Sequence, residues 1–306
     1  MKNIDQSIRQ RLLNMSRERN EDFQLILIRF ALERFLYRLS KSRYAEQFIL
    51  KGAFLFSLWT NYRYRPTKDL DLLGVGDRSP ENLEKIFREI CGIKVDLDGI
   101  VFDENSVFVS EIREEHEYGG NRVRLTGFLG KAKVSLQIDV AYGDAVTPEI
   151  EENDFPSMLE MASPRVLTYP KETVVAEKLQ SMIHLGMQNS RMKDFFDLFW
   201  MSRLFSFEGP VLSKAIQSTF QRRKTPIVSV PPLVFSDEFS LDSIKNSQWK
   251  AFLNKNELTD ISEEFPYIIE TLRDFLVPPL RAFSSGKRFS LSWKPGGAWH
   301  SKKVIE

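Results

Sequence analysis

ILKGAFLFSLWTNYRYRPTKDLDLL, residues 49–73, is the stretch from which the rest of the chain is read. It continues an apolar run, Phe48-Ile49-Leu50, into the turn Lys51-Gly52. A helical apolar pattern follows through Ala53, Phe54, Leu55, Phe56, Leu58 and Trp59, then a polar loop, then Lys68-Asp69-Leu70-Asp71-Leu72. In that last segment acids alternate with leucines, the period-two pattern of a strand with one apolar and one polar face. Two carboxylates on one strand face sit about 7 Å apart along the backbone. Their side chains can converge on one or two hard cations that take oxygen ligands; without a cation they repel, and one is driven to stay protonated. A pair of solvated acids at a strand end is the plainer account. The upstream glycine turn favours the cation, because N–H groups at a helix start there can face a phosphate.

The chain has 306 residues, enough for one large domain or two moderate ones with a sizeable core. Hydrophobic residues make up 42% and charged residues 28%, an ordinary globular balance. One cysteine, Cys91, excludes an internal disulfide framework and a cysteine-based zinc site, and fits a reducing cytoplasm with the thiol as core filler. Apolar runs such as Leu25 to Ile28 are too short to span a bilayer. Arg9, Arg11, Arg17 and Arg19 precede no signal-peptide apolar region. With a formal net charge of +1, any nucleic-acid contact must rest on local patches. The three histidines show neither metal-ligand spacing nor a triad pattern.

Residues 4–42 are predicted as helix. Leu25, Ile28, Leu32, Phe35, Leu36 and Leu39 form its apolar stripe, and Arg29, Glu33 and Arg34 are assigned to the wet side. Residues 79–92 are a second helix, with Ser79 at the N-cap, Pro80 at the first position and Gly92 at the end. Strands are predicted over Gly99–Phe102, Val107–Ile112, Asn121–Phe128 and Lys133–Val140, with turns at Tyr118–Asn121 and Leu129–Lys131. Asp139 then lies on a polar strand face near its end, and a loop leads on through Pro148 and Pro156.

The helix after Pro170 puts Lys178 inside its apolar stripe, since at about 100° per residue Val174, Lys178, Met182 and Leu185 share one side. Such a lysine either snorkels to solvent or reaches an anion in a cleft; the acid pair, whose triphosphate would need a cation, favours the second. A further helix is predicted from Arg191 to Leu204, with Ser190 at its N-cap and Phe195, Leu198 and Phe199 facing inward. Lys193, Asp194 and Asp197 fall together, and taken alone they read as macrodipole complement and an i,i+4 pair. Beyond Phe205, helices are expected near Pro210–Lys224, Ser240–Asn254 and Leu258–Val277, the last stopping at Pro278-Pro279, with Thr225–Leu233 as linker. The tail 284–306 interleaves Lys287, Arg288, Lys294, Lys302 and Lys303 with Phe289, Trp293 and Trp299. That is a pattern able to hold single-stranded RNA, and equally that of a loosely ordered terminus.

Strand, glycine turn, helix and a strand bearing Asp-x-Asp is the layout of polymerase-beta-type nucleotidyltransferases. FILKGAFLFSLW…RPTKDLDLLG, LQIDVAYGD, YPKETVVAEKLQSM and NSRMKDFFDL, in this order, resemble the AbiEii/AbiGii-type (MenT-like) nucleotidyltransferase toxins of type IV toxin–antitoxin and abortive-infection systems. The resemblance implies an α+β fold: a polymerase-beta-like core of mixed sheet flanked by helices, and a helical C-terminal region. Residues 1–45 would be an N-terminal helical segment, 46–205 the core and 206–306 the C-terminal region with its basic, aromatic tail. It further implies that Asp69 and Asp71 hold Mg²⁺, as two ions, with Asp139 as third carboxylate. Gly52 and Ala53 would meet the triphosphate, Arg65 and Thr67 would orient it, and Lys178 would grip it. Arg191, Lys193 and Asp194 match the family's essential R-x-K-D segment. Where many nucleotidyltransferases carry Gly-Ser or Gly-Gly, this chain has Gly52-Ala53, whose alanine keeps its N–H and offers no hydroxyl. The implied reaction carries a nucleotide from a nucleoside triphosphate to an RNA 3′ end, tRNA first, blocking translation. A winged-helix antitoxin would be its partner, and no membrane is involved. Nucleotidylation of a protein hydroxyl, or a silent binding module of the same fold, are the rival expectations.

Overall fold

The computed structural model describes residues 4–60, 65–112, 119–226, 231–258 and 264–301. The chain divides into two compact units, Met1–Asp144 with Ile150–Tyr169, and Ala145–Glu149 with Pro170–Glu306. The helices of residues 171–204 therefore group with the C-terminal unit, and the N-terminal helices with the sheet.

The first unit runs α1 (Ile4–Arg19), α2 (Phe23–Ser40), β1 (Phe48–Lys51), α3 (Leu55–Trp59), β2 (Asp69–Gly74), α4 (Pro80–Cys91), β3 (Ile100–Ile112), β4 (Gly120–Leu129), β5 (Ala132–Tyr142), β6 (Glu151–Asp154) and β7 (Arg165–Thr168). Its seven-stranded sheet has the order β3-β4-β5-β2-β1-β7-β6. β2 pairs parallel with β5 and β1 parallel with β7, while the remaining pairs are antiparallel. The sheet is thus mixed, as expected. Alternation along the central strands is strict: Leu70, Leu72, Val123, Leu125, Leu136, Ile138 and Val140 are buried, and the residues between them carry the polar face. On the apolar side Phe35 of α2 stacks on Phe87 of α4 and meets Phe102 of β3 edge-on, and Phe48 of β1 meets Phe87. Each such ring contributes about 2 kcal/mol by burial.

Several expectations are corrected here. The single helix over residues 4–42 is two, because Asn20 adopts φ 49° and the Asp22 side chain caps α2 by accepting from Leu25 N at 2.9 Å. Glu33 and Arg34 do not face water: each is 1% exposed. They pair at 2.6 Å, and Glu33 also accepts from Met158 N while Arg34 donates to the Ala162 carbonyl, pinning that loop to α2. Burial pushes the Glu33 carboxyl above its ordinary value, against the opposing pull of Arg34. The two strands expected at 99–112 are one, β3, with a register shift between Asp103 and Phe108. β6 and β7, too short and polar to show a period, went unpredicted. Tyr118 of the expected turn lies outside the described residues.

The second unit runs α5 (Lys171–Leu185), α6 (Met192–Leu204), β8 (Phe207–Glu208), α7 (Gly209–Arg222), α8 (Asp237–Ser240), α9 (Ser243–Lys255), α10 (Phe265–Ser284), β9 (Ser292–Trp293) and β10 (Trp299–His300), with β9 central in a small antiparallel sheet. Phe195, Phe239, Trp249 and Phe265 form one aromatic cluster. Arg191, not Ser190, occupies the N-cap of α6. α10 continues through Pro278 and Pro279 instead of stopping. Each proline forfeits a helical hydrogen bond at about 3 kcal/mol, and burial of Leu276, Val277, Pro279 and Leu280 offsets the loss. Residues 227–230 of the expected linker, 259–263 of the expected helix, and Lys302 and Lys303 lie outside the described residues.

The described part of the tail, residues 284–301, is packed, and its tryptophans are not a stacking surface. Trp293 is 4% exposed, donates from Nε1 to the Ser202 carbonyl at 2.7 Å and packs on Phe275. Trp299 donates to the Phe275 carbonyl at 2.9 Å. Trp293→Ala is expected to destabilise the second unit by about 3–5 kcal/mol, read by urea denaturation; a loss below 1 kcal/mol would contradict this packing. In the first unit Cys91 is buried and its thiol is pushed up to about 12, mainly by desolvation. At pH 8 its thiolate fraction is then on the order of 10⁻⁴. Iodoacetamide should leave the native protein unlabelled at that pH and label it rapidly in denaturant.

Candidate active site

β1 ends at Lys51, and Gly52 turns the chain with φ +73° into a 3-10 turn, Gly52–Phe54, that runs on into α3. The antiparallel register sets Lys51 beside Asp71 of β2. A Cβ at position 52 would overlap Asp71 Oδ2 and stand 2.7 Å from its Cγ. Two requirements therefore meet in one residue: a left-handed φ and room for a carboxylate against the backbone.

Asp69 and Asp71 occupy the polar positions of β2, both partly exposed. Parallel pairing puts Asp139 of β5 directly beside Asp71, and Gln137 beside Asp69. Asp69 Oδ1 accepts from the Thr67 hydroxyl at 2.8 Å. Asp139 is gripped by Arg122 of β4, its partner across the antiparallel β4–β5 pair: Nε donates to Oδ1 and Nη2 to Oδ2, both at 2.8 Å. Turned with its oxygen toward the guanidinium, Gln137 accepts from the same Nε and Nη2 at 3.2 and 3.3 Å. The hydrogen bond to Asp139 raises the Arg122 pKa, and the charges of Asp139, Asp69 and Asp71 add to the effect. All three acids thus act on one guanidinium. The register thus sets Asp71 and Asp139 side by side with Asp69 on the same face, and an arginine is forked onto Asp139.

Around this cluster Lys51 Nζ pairs with Asp144 Oδ2 at 2.7 Å and lies over the Tyr169 ring. Ala53 is buried, and Arg65 lies partly exposed in the segment leading into β2. A cleft of about 400 Å³ opens beside Asp69, lined by Lys68, Ser106, Arg124, Thr126, Ser135 and Gln137 among others. As donors, three carboxylates on one sheet face suit a hard divalent cation in kind and in charge. Among the described residues no group of three or more His, Cys, Asp or Glu side chains is placed to hold a metal ion as it stands, and both oxygens of Asp139 are held by Arg122.

Lys178, Arg191, Lys193 and Asp194 belong to the second unit. Lys178 does not snorkel: its ammonium lies 2.7 Å from Asp194 Oδ1 and 2.8 Å from Asp197 Oδ2. Arg191 Nε approaches Asp194 Oδ2 at 3.2 Å. Burial favours protonation of Asp194, but Lys178 and Arg191 outweigh it and hold the carboxyl below its ordinary value. Asp197 thus serves Lys178, where the sequence suggested an i,i+4 pair with Lys193; Lys193 itself is exposed. Sequence reasoning passed over Lys245, which is buried and donates to the Asn189 carbonyl at 2.9 Å, while Asn189 Oδ1 accepts from Arg191 N. Together they fix the entry into α6.

Arg122, Gln137, Lys51 and Asp144 were likewise missed. For Arg122 the signal was present: counting seven residues outward from either side of the Gly130-Lys131 turn reaches Arg122 and Asp139.

Comparison with known proteins places the fold. Two crystal structures from Helicobacter pylori superpose at TM-score 0.50 with 15% identity: the protein JHP933, over 87% of this chain and 95% of that one, and a provisionally assigned nucleotidyltransferase, over 88% and 100%. No curated protein matches. The family model described as nucleotidyl transferase AbiEii toxin, type IV TA system, matches residues 34–274. That span holds β1 with its glycine turn, the Asp-x-Asp strand, Asp139 and the Lys178–Asp194 pair, and the chain belongs to the AbiEii family of nucleotidyltransferase toxins of type IV toxin–antitoxin systems.

Proposed function

We propose that this toxin transfers a nucleotide from a nucleoside triphosphate to an RNA 3′-hydroxyl, with the tRNA 3′ end as acceptor, and that the modified tRNA no longer serves translation. The observation that carries this reading is the strand register that sets Asp71 beside Asp139, with Asp69 on the same face, next to a glycine turn that leaves room for Asp71. Magnesium held by Asp69 and Asp71, with Asp139 joining, would supply the charge that stabilises attacking and leaving oxygens in phosphoryl transfer.

The chain's own residues divide the remaining work. Thr67 fixes the rotamer of Asp69 through its 2.8 Å hydrogen bond. Gly52 lets the chain turn against Asp71, and the N–H groups of Gly52 and Ala53, at a helical start, are donors for a phosphate oxygen. Arg65 adds positive charge ahead of the acids. Asp139 receives the proton of the attacking 3′-hydroxyl, whose oxygen bonds to the α-phosphorus as the α–β bridge breaks and pyrophosphate leaves. We assign Lys178 to phosphate binding, with Asp194 and Asp197 fixing the position of its ammonium, and Arg191 and Lys193 to the same task. Type IV membership implies a cognate antitoxin, for which we propose a winged-helix protein. Among the described residues no helix is long and apolar enough to cross a membrane.

Incubation with each labelled triphosphate and total tRNA should give RNase-sensitive label. Asp69→Asn should reduce transfer by about 10³-fold or more, while native protection of Cys91 from alkylation shows the fold intact. Wild-type transfer by Asp69→Asn would refute the assignment, and RNase-resistant label on protein would move the acceptor to a protein hydroxyl. Gly52→Ala should also lose most of its activity, because the new methyl displaces Asp71; unchanged turnover would show that the close approach is not needed.

A further inference from the structure

The cation already present in the acid cluster is part of the chain. Arg122 spends two donors on Asp139 in a forked pair, the geometry in which a guanidinium binds a carboxylate best. The side chains are 32% and 18% exposed, so the pair can open without unfolding the sheet. A divalent cation drawn to Asp69 and Asp71 meets two obstacles at Asp139: oxygens already engaged, and a positive charge beside them.

We infer that Arg122 is a resident counter-ion that competes with the divalent cation for Asp139, stabilising the acid cluster in the metal-free protein and releasing Asp139 when the cation binds. This rests on the reading of Asp69, Asp71 and Asp139 as the metal-binding acids. The opposite role is equally definite: an arginine that only orients Asp139 as a ligand would strengthen metal binding, as outer partners of metal ligands do. The two roles differ in the sign of one measurable quantity. Competition is reciprocal, so whatever factor Arg122 removes from cation affinity, the cation removes from the Arg122–Asp139 pair.

The test is calorimetric titration with Mn²⁺ of the full chain, of Arg122→Ala, of Arg122→Lys and of Asp69→Asn, with thermal melting of each in EDTA and at saturating Mn²⁺. Arg122→Ala is expected to bind Mn²⁺ about tenfold more tightly, within the usual range of coupling between sites. It should melt below wild type in EDTA and close most of that gap once Mn²⁺ is bound. If Arg122→Ala fails to fold, Arg122→Lys carries the test: it keeps the charge, loses the fork, and should bind Mn²⁺ more tightly than wild type by a smaller factor. A folded variant that binds Mn²⁺ as wild type does, or more weakly, overturns the inference alone. Absence of Asp69-dependent Mn²⁺ binding in both wild type and the folded Arg122 variants overturns the metal reading itself, and the inference with it.

Discussion

Like charge on one face of a sheet is the constraint around which this structure is arranged. Parallel pairing of β2 with β5 puts Asp71 and Asp139 one strand spacing apart, with Asp69 on the same face. At about 5 Å and an effective dielectric near 20, two carboxylates repel by about 3 kcal/mol. Partial exposure screens part of that, but three such groups still need a positive partner. Arg122 supplies it from the neighbouring strand, and Lys51, adjacent to Asp71 in the register, brings a second positive charge that Asp144 balances. The sheet thus holds in fixed register both the charges that conflict and those that relieve them.

That register is held from the apolar side. Leu70, Leu72, Ile138 and Val140 alternate with the acids, so a slip of one residue would bury the carboxylates and expose the leucines. α2 is tied to the strand layer by Arg38, which forks onto Asp98 at 2.7 and 3.1 Å and donates to the Ile100 carbonyl. Groups carried on paired strands keep their geometry better than groups on loops. Gly52, Ala53, Arg65 and Thr67 stand outside the strands, and the close approach of Gly52 to Asp71 limits where that turn can go.

What the sequence made legible follows the same division. Period-two alternation in DLDLL and in VSLQIDV identified the strands and put Asp69, Asp71 and Asp139 on polar faces without any knowledge of pairing. Which strands pair, and hence which charges meet, depends on long-range register that periodicity does not carry. Arg122 was therefore overlooked, although its hairpin is short enough for the partner to be counted. Glu33 and Arg34 were misread for a different reason: helical periodicity assigns charged residues to water unless a buried partner is known, and theirs is a loop about 125 residues on. Trp293 and Trp299 looked like stacking residues because composition does not reveal that their indole N–H groups are already spent on backbone carbonyls.

Lys178 shows how far a position can be argued from periodicity alone. Its angle on the helix left two outcomes, snorkelling to solvent or an anion within reach, and the structure provides two carboxylates. With Arg191, itself 43% exposed, the group sets two cations against two carboxylates, and each ion has a partner. Breaking such a group leaves an uncompensated buried charge, whereas the intact group adds little net stability.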